Sequence, residues 1–198
     1  MELDFNDLEK RLIAILPKVE RRYRPEPHGL IRAAVLLPLL ESSRGVEILL
    51  TRRTNEVKSH RGQVSFPGGT VSPADEGVID TALRETEEEI GLSRSQIKIL
   101  GTLPPISTVS TGYFVYPSVA TLLPPLNFKL NTREVKEIFT VPVEFILSEQ
   151  NWRLDPVETQ DGTFTTFYFR YQGYLVWGMT ARLLRKFKEI VAICNLTR

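Results

Sequence analysis

Cysteine and histidine are scarce in this chain of 198 residues. Its single cysteine, Cys194, cannot form a disulfide within the chain. Cys194 and only two histidines also provide too few soft ligands for a zinc site. We therefore expect a protein of a reducing compartment, the cytoplasm, that folds around an apolar core without cross-links or zinc.

The chain also lacks a charge bias and a long hydrophobic run. Lys and Arg number 25 and Asp and Glu number 24, so no global electrostatic attraction draws the protein to nucleic acid or to an anionic membrane. The longest apolar run, residues 33–40, contains Pro38 and is too short to span a bilayer. Acidic residues near the start, such as Glu2 and Asp4, are unlike a secretory or mitochondrial presequence. We expect neither nucleic acid nor membrane as a partner, and a homodimer stays open.

The length predicts one domain with an additional segment at its start. Residues 3–16 have leucines at helical spacing, with Asn6 or Asp4 as the N-cap, and Pro17 ends this predicted helix. A basic, proline-containing linker follows. We therefore divide the chain into an N-terminal helix and linker, residues 1–28, and a main domain, residues 29–198.

Alternating and continuous apolar segments predict strands along the main domain. The predicted strands cover residues 31–40, 46–51, 97–103, 113–123 and 163–170, with a loop at 104–112 and a hairpin at 161–162 that leads back to a strand near 152–154. A last helix follows Trp177, with a buried stripe formed by Leu183, Leu184, Phe187, Ile190 and Val191. Strands and helices joined by short connections indicate an α/β or α+β fold.

One helix is crowded with glutamates. It is predicted to start with Asp75 as its N-cap and to end near Gly91. Its apolar face comprises Ile79, Ala82, Leu83, Thr86 and Ile90. Spacings of three and four residues bring Glu85, Glu88 and Glu89 together on another face. Such like-charge pairs cost roughly 0.2–0.5 kcal/mol each. A bound divalent cation would offset that repulsion, since Mg²⁺ prefers carboxylate oxygens; a solvated acidic face is the alternative.

The residues around this helix resemble the signature of the Nudix hydrolases. The matching positions are Gly68-Gly69, Arg84-Glu85, Glu88-Glu89 and Gly91-Leu92, although the loop is one residue longer and Thr86 replaces an aliphatic residue. The resemblance implies a Nudix fold over residues 29–198, a mixed central β-sheet sandwiched between α-helices. It also implies hydrolysis of a nucleoside diphosphate derivative, with Glu85, Glu88 and Glu89 as catalytic ligands of Mg²⁺ or Mn²⁺. Arg84 would pair with a neighbouring carboxylate and fix the geometry.

The preceding segment is similar to an additional motif of one Nudix branch, the coenzyme A pyrophosphatases. The matching positions are Leu49-Leu50-Thr51, Arg53-Thr54, Lys58, Gly62 and Phe66-Pro67-Gly68-Gly69, with Thr54 in place of a serine and Lys58 in place of an arginine. The resemblance implies that a coenzyme A-like nucleotide is the substrate. It also implies that the substrate is bound by Arg53, Lys58, Gly62, Gly68 and Gly69.

Several alternatives remain at this stage. Glu134, before a valine, is either an extra metal ligand or general base or a solvent-facing residue. A Nudix enzyme acting on ADP-ribose or NADH would keep the acidic helix without needing the Arg53–Lys58 segment. A catalytically silent nucleotide-binding module would usually have lost one of the three glutamates. An RNA pyrophosphohydrolase would be expected to carry a more basic surface.

Overall fold

The computed structural model describes residues 4–17, 29–55, 61–108, 112–159 and 162–196. The predicted linker therefore lies outside the described residues. The described part of the chain contains four α-helices, α1 Phe5–Ile15, α2 Val78–Ile90, α3 Val143–Leu147 and α4 Gly178–Leu196. The strands are β1 Ile31–Ser42, β2 Gly45–Arg53, β3 Val64–Ser65, β4 Gly68–Thr70, β5 Ile97–Thr102, β6 Ile106–Thr108, β7 Tyr113–Leu122, β8 Val135–Pro142, β9 Arg153–Thr159, β10 Gly162–Tyr171 and β11 Tyr174–Val176.

Eight strands form one mixed sheet. Its central order is β3-β2-β1-β7-β5, with β4 paired to β1, β6 to β7 and β8 to β2. The pairing of β1 with β7 is parallel, from Ile31 opposite Tyr113 to Leu39 opposite Thr121, whereas the other pairings in this sheet are antiparallel. A smaller sheet has the order β11-β10-β9.

Apolar side chains cover both faces of the large sheet. The first core contains residues from α1 and α4, including Leu12 and Phe187, packed against Leu37 of β1. The second core lies under α2, where Ala82 and Ile90 pack with Leu36. Because successive side chains of a strand point to opposite faces, Leu36 and Leu37 serve different cores. The predicted fold, a mixed sheet between helices, is confirmed.

The N-terminal helix α1 is part of the first core. Asp4 caps it by accepting a hydrogen bond from the Asp7 amide at 2.7 Å, as the sequence pattern predicts for one of its two candidate caps. Leu8 and Leu12 are buried. At the end of this segment Leu16 lies so close to Gly101 of β5 that a side chain on that glycine would be 2.5 Å from the Leu16 Cβ.

Two predicted boundaries in the main domain are wrong. Helix α2 begins at Val78 and its N-cap is Gly77, not Asp75, because the Asp75 carboxylate is bound by other groups described below. Residues 104–112, predicted as a loop, include the short strand β6, which pairs with β7. The predicted end of α2 is confirmed, since Gly91 has φ 74°, a left-handed conformation that glycine adopts without steric cost.

The C-terminal part forms the small sheet and the last helix. The predicted pairing of residues 163–170 with the segment after Trp152 is present as the β9–β10 ribbon, although residue 161 of its turn lies outside the described residues. Helix α4 buries Leu183, Leu184, Phe187 and Val191, which confirms those members of the predicted stripe, and Ile190 packs partly buried against the same core. Among the described residues, no helix is long and apolar enough to cross a membrane.

Candidate active site

The acidic helix and the glycine turn meet because β4 leads directly through a short loop into α2. Gly68 pairs with Val35 of β1 in a close backbone contact, since a side chain at Gly68 would come within 2.3 Å of the Ala34 carbonyl oxygen. Gly68 also has φ 149°, which disfavours other residues. The two requirements explain why glycine is needed at this position.

Arg84 connects the loop before α2 to the helix. Its Nε and Nη2 donate to the two carboxylate oxygens of Asp75 at 2.8 and 3.0 Å, a fork-shaped pair. Asp75 also accepts hydrogen bonds from the Thr81 hydroxyl at 2.7 Å and the Ser72 amide at 2.8 Å. These donors, with Arg84 first, hold the pKa of the Asp75 carboxyl well below its usual range. The predicted pairing of Arg84 with a carboxylate is confirmed.

The same guanidinium contacts two of the three candidate ligands. Arg84 Nη1 donates to Glu85 Oε1 at 2.9 Å and to Glu88 Oε2 at 3.1 Å. Glu88 is 55% exposed, whereas Glu85 is mostly buried. Burial raises the pKa of Glu85, an effect that the Arg84 contact opposes. Arg84 therefore fixes the positions of both carboxylates relative to the loop.

Glu89 is a buried acid with weak partners. Its side chain is only 2% exposed, and it accepts from the Gly68 amide at 3.3 Å and from Arg53 Nη1 at 3.5 Å. Both distances are longer than a typical charge-assisted hydrogen bond, about 2.7–2.9 Å. Burial raises the pKa of Glu89 to about 8, and the charge of Arg53 opposes that rise. The described residues therefore do not offset the cost of burying the negative charge of Glu89.

The glycine after Gly68 gives Glu85 its space. A side chain on Gly69 would lie 2.5 Å from the Glu85 carboxylate carbon. Gly69 is thus placed directly against one candidate ligand, and Gly68 donates to another. The glycine turn is part of the environment of the acids as well as a predicted substrate contact.

Glu134 lies close to this group of acids. Burial is the main cause of the raised pKa values of Glu85 and Glu89, and the charge of Glu134 adds to both. The Asn131 side-chain amide donates to Glu134 Oε1 at 3.1 Å, and the Asn131 backbone amide donates to the Glu89 carbonyl at 2.9 Å. The turn before β8 is therefore attached to the end of α2, and it brings a fourth carboxylate to the site.

The donor chemistry suits a hard divalent cation. All four acids offer oxygen ligands, which Mg²⁺ and Mn²⁺ prefer. Within the described ranges, however, no three acidic, histidine or cysteine side chains are arranged as a complete metal site. Arg84 bridges Glu85 and Glu88, and Glu89 is directed to Gly68. The residues fit a metal in charge and ligand type, because a bound cation would stabilise the buried carboxylate form of Glu89.

The segment predicted to bind substrate is only partly described. Arg53 is brought to the acids by β2, and its backbone amide donates to the Gln63 carbonyl at 3.0 Å. Gly62 has φ 65° and its amide donates to the Thr54 carbonyl at 3.3 Å. Thr54 is buried, and its hydroxyl donates to the Arg133 carbonyl at 2.8 Å. Lys58 lies outside the described residues, so its predicted role has no structural test.

Two contributors to the site were not predicted from sequence. Asp75 was interpreted as a helix cap, and Asn131 was given no role of its own beside Glu134. An aspartate nine residues before an arginine gives no local signal of pairing, because the contact depends on how the loop folds back over α2. Asn131 acts from a turn more than forty residues after the helix, and only its tertiary position connects it to Glu134.

The chain matches a known family model and has relatives of similar sequence. The family model of the NUDIX domain matches residues 30–161. A protein called uncharacterized Nudix hydrolase NudL from Photorhabdus laumondii is 38% identical over 161 residues, which cover 81% of this chain and 85% of the relative. The protein of that name from Shigella flexneri is 34% identical over 184 residues, 93% of each chain.

Solved structures share the fold at lower identity. A Nudix hydrolase from M. smegmatis, RenU, has a TM-score of 0.55 and 19% identity, covering 89% of this chain and 94% of that protein. A C. elegans Ap4A hydrolase has a TM-score of 0.54 and 21% identity, with coverage of 82% and 98%. At these identities the structures support the fold alone. Together with the family match and the close relatives, the acidic helix and its glycine turn show that the chain belongs to the Nudix hydrolase family.

Proposed function

We propose that this Nudix hydrolase cleaves the pyrophosphate bond of coenzyme A and its derivatives. The products would be adenosine 3′,5′-bisphosphate and 4′-phosphopantetheine. The observation that carries the proposal is the contact of Arg53 with Glu89 at 3.5 Å. It places the segment that resembles the coenzyme A pyrophosphatase motif next to the acidic helix, where a diphosphate would be bound.

The metal requirement follows from the acid cluster. Mg²⁺ or Mn²⁺ held by Glu85, Glu88 and Glu89 would lower the pKa of a bound water and neutralise charge on the diphosphate. Glu134 is the candidate for an additional ligand or for the base that accepts the proton from water. Arg84 acts as a positioning residue, because its contacts to Asp75, Glu85 and Glu88 hold the acids relative to the glycine turn.

The remaining residues bind and orient the substrate. Arg53 and Lys58 carry positive charge that suits the phosphate groups of such a substrate. The resemblance also implies substrate contacts for Gly68 and Gly69, whose backbone N–H groups are of the kind that binds phosphate oxygens. Positioning and electrostatics of this kind are the main protein contributions to attack at phosphorus.

A substrate screen tests the proposal. The purified chain is assayed with Mg²⁺ or Mn²⁺ on coenzyme A, 3′-dephospho-coenzyme A, ADP-ribose and NADH, and products are identified by chromatography. We expect the highest kcat/KM for coenzyme A. A preference for ADP-ribose or NADH would replace this substrate with another nucleoside diphosphate derivative. Binding without turnover at saturating metal would indicate a silent nucleotide-binding module.

A further inference from the structure

A cleft opens on the face of the large sheet opposite the acidic helix. It has a volume of about 230 Å³, and its walls include Arg52, Arg61, Glu158, Tyr174 and Trp177. The cleft lies between the end of β2, the segment leading into β3, and the part of the small sheet formed by Glu158 of β9 and by strand β11. None of the residues in its walls belongs to the acid cluster.

The cleft and the acid cluster share one end of β2. Arg52 and Arg53 are neighbours at the end of this strand, where its pairing with β8 shifts register, and their side chains have different partners. Arg53 contacts Glu89, whereas Arg52 contacts Glu137 at 3.1 Å on the cleft side. Gly62 and Gln63 line the cleft, and Gln63 accepts a hydrogen bond from the Arg53 amide. The two places are therefore connected through Arg52, Arg53 and Gln63 at this end of β2.

Aromatic rings form part of the cleft wall, and they are held in place. Tyr174 stacks on Phe139 with a centroid distance of 3.7 Å and an interplanar angle of 3°. The ring of Trp177 lies near that of Phe164, at 5.8 Å and 27°. Nucleobases stack on such side chains with little dependence on which base is bound.

Two guanidinium groups in the cleft wall are of the kind that binds phosphate. Arg52 remains 38% exposed despite its contact with Glu137, and a guanidinium can bind a phosphate through two parallel hydrogen bonds. Arg61 adds a second guanidinium to the wall, while Glu158 is an acid on the same wall. The volume is below the roughly 300–1,000 Å³ of pockets for drug-sized ligands, so the cleft fits one end of a dinucleotide-like substrate.

We propose that this cleft binds the phosphorylated nucleoside end of the substrate, with the base against Trp177 and the ribose phosphate at Arg52. The proposal rests on the proposed function, since coenzyme A has such an end and the acid cluster would hold its diphosphate. Arg52 and Trp177 then determine which nucleoside diphosphate derivatives are accepted.

Nucleotide binding without metal tests the cleft separately from catalysis. Adenosine 3′,5′-bisphosphate and AMP are titrated into the full chain in EDTA by calorimetry. We expect the wild type to bind the bisphosphate about tenfold more tightly than AMP, a difference of about 1.4 kcal/mol. Arg52→Ala should remove this preference, and Trp177→Leu should weaken binding of both nucleotides by about tenfold. Glu158→Gln should tighten bisphosphate binding, because it removes an acid that faces the phosphate.

Two variants serve as controls. Arg153→Ala removes an exposed arginine of β9. Its guanidinium donates to the carbonyl groups of Gln150 and Trp152, which lie outside the cleft. This variant should bind both nucleotides like the wild type. Trp177→Phe keeps an aromatic face and should restore most of the binding lost in Trp177→Leu. If Trp177→Leu fails to fold by circular dichroism, Arg52→Ala and Trp177→Phe decide the result.

Steady-state kinetics with coenzyme A complete the test and separate the cleft proposal from the proposed substrate. Arg52→Ala should raise KM for coenzyme A about tenfold with kcat unchanged within about twofold, because ground-state binding alone is lost. Wild-type binding of both nucleotides by Arg52→Ala and Trp177→Leu would overturn the cleft proposal even if coenzyme A is hydrolysed. Nucleotide binding that depends on these residues, together with no hydrolysis of coenzyme A, would retain the cleft and overturn the proposed substrate.

Discussion

Arg84 and Asp75 are joined by two parallel hydrogen bonds, Nε to Oδ1 at 2.8 Å and Nη2 to Oδ2 at 3.0 Å. Asp75 lies in the loop before α2, and Arg84 lies within the helix. The pair lowers the pKa of Asp75 and raises that of Arg84. It leaves Nη1 of Arg84 for Glu85 and Glu88, so one ion pair links the loop to the candidate metal ligands.

Loss of this pair should destabilise the fold. Asp75→Ala removes a carboxylate that is 2% exposed and leaves Arg84 without its main partner. We expect a loss of about 3 kcal/mol in the free energy of unfolding, the lower part of the range for broken buried ion pairs. Urea unfolding followed by circular dichroism measures it. Asp80→Ala is the matched control, since its partner Arg94 is exposed and the loss should be about 1 kcal/mol or less.

The exposed member of the acid cluster should be needed for turnover but not for folding. Glu88→Gln keeps the shape of a side chain that is 55% exposed, so the melting temperature should change little. It removes a negative metal ligand, and kcat should fall by at least about 100-fold, since losing even an outer partner of a metal costs about 10–100-fold. Glu87→Gln alters the neighbouring exposed glutamate and should keep wild-type kcat. Equal rates for the two variants would remove Glu88 from the catalytic residues.

Two glycine substitutions should separate activity from stability. The Cβ of Gly69→Ala would lie 2.5 Å from the Glu85 carboxylate, so the acid must move and activity should fall by more than about tenfold. The Cβ of Gly101→Ala would lie 2.5 Å from Leu16 Cβ and 3.0 Å from the Pro17 carbonyl oxygen, so α1 must shift and about 1–3 kcal/mol of stability should be lost. Paired melting and rate measurements check both. A Gly69→Ala variant with normal activity would mean that the position of Glu85 is not critical.

The raised pKa of Glu89 predicts how metal-free stability depends on pH. The carboxyl has a pKa of about 8 in the folded protein and 4.5 as its reference value in the unfolded chain. Between these values the folded state holds one more proton, so stability decreases as pH rises from about 4.5 to about 8. Melting temperatures in EDTA across this range test the slope. Glu89→Gln should flatten it, and an unchanged slope in that variant would assign the effect to other groups.

Metal binding should remove the proton from the Glu89 carboxyl group. A metal ligand must be ionised, so binding below about pH 8 requires Glu89 to release its proton. The apparent affinity for Mn²⁺ should therefore fall as pH decreases from 8 to 6. Calorimetry in two buffers with different heats of ionisation counts the protons released. Release that is the same in Glu89→Gln would show that the proton comes from another group.

The helices and most strands follow from local patterns. The burial of Leu183, Leu184 and Phe187 was predictable because helical spacing alone places them on one face. The end of α2 was predictable because Gly91 provides a left-handed residue. The beginning of α2 was not, because Asp75 is a good cap by residue type and its actual partner is Arg84.

The sequence by itself determined the acidic face of α2 and the glycine turn before it, since both depend on spacings of a few residues along the chain. Only the tertiary structure decided that Glu89 is buried against Gly68 and Arg53, and that Glu134 approaches from another turn. The physical reason is that burial and charge proximity arise between segments far apart in sequence. Those same effects set the pKa of Glu89, and no pattern within the helix contains them.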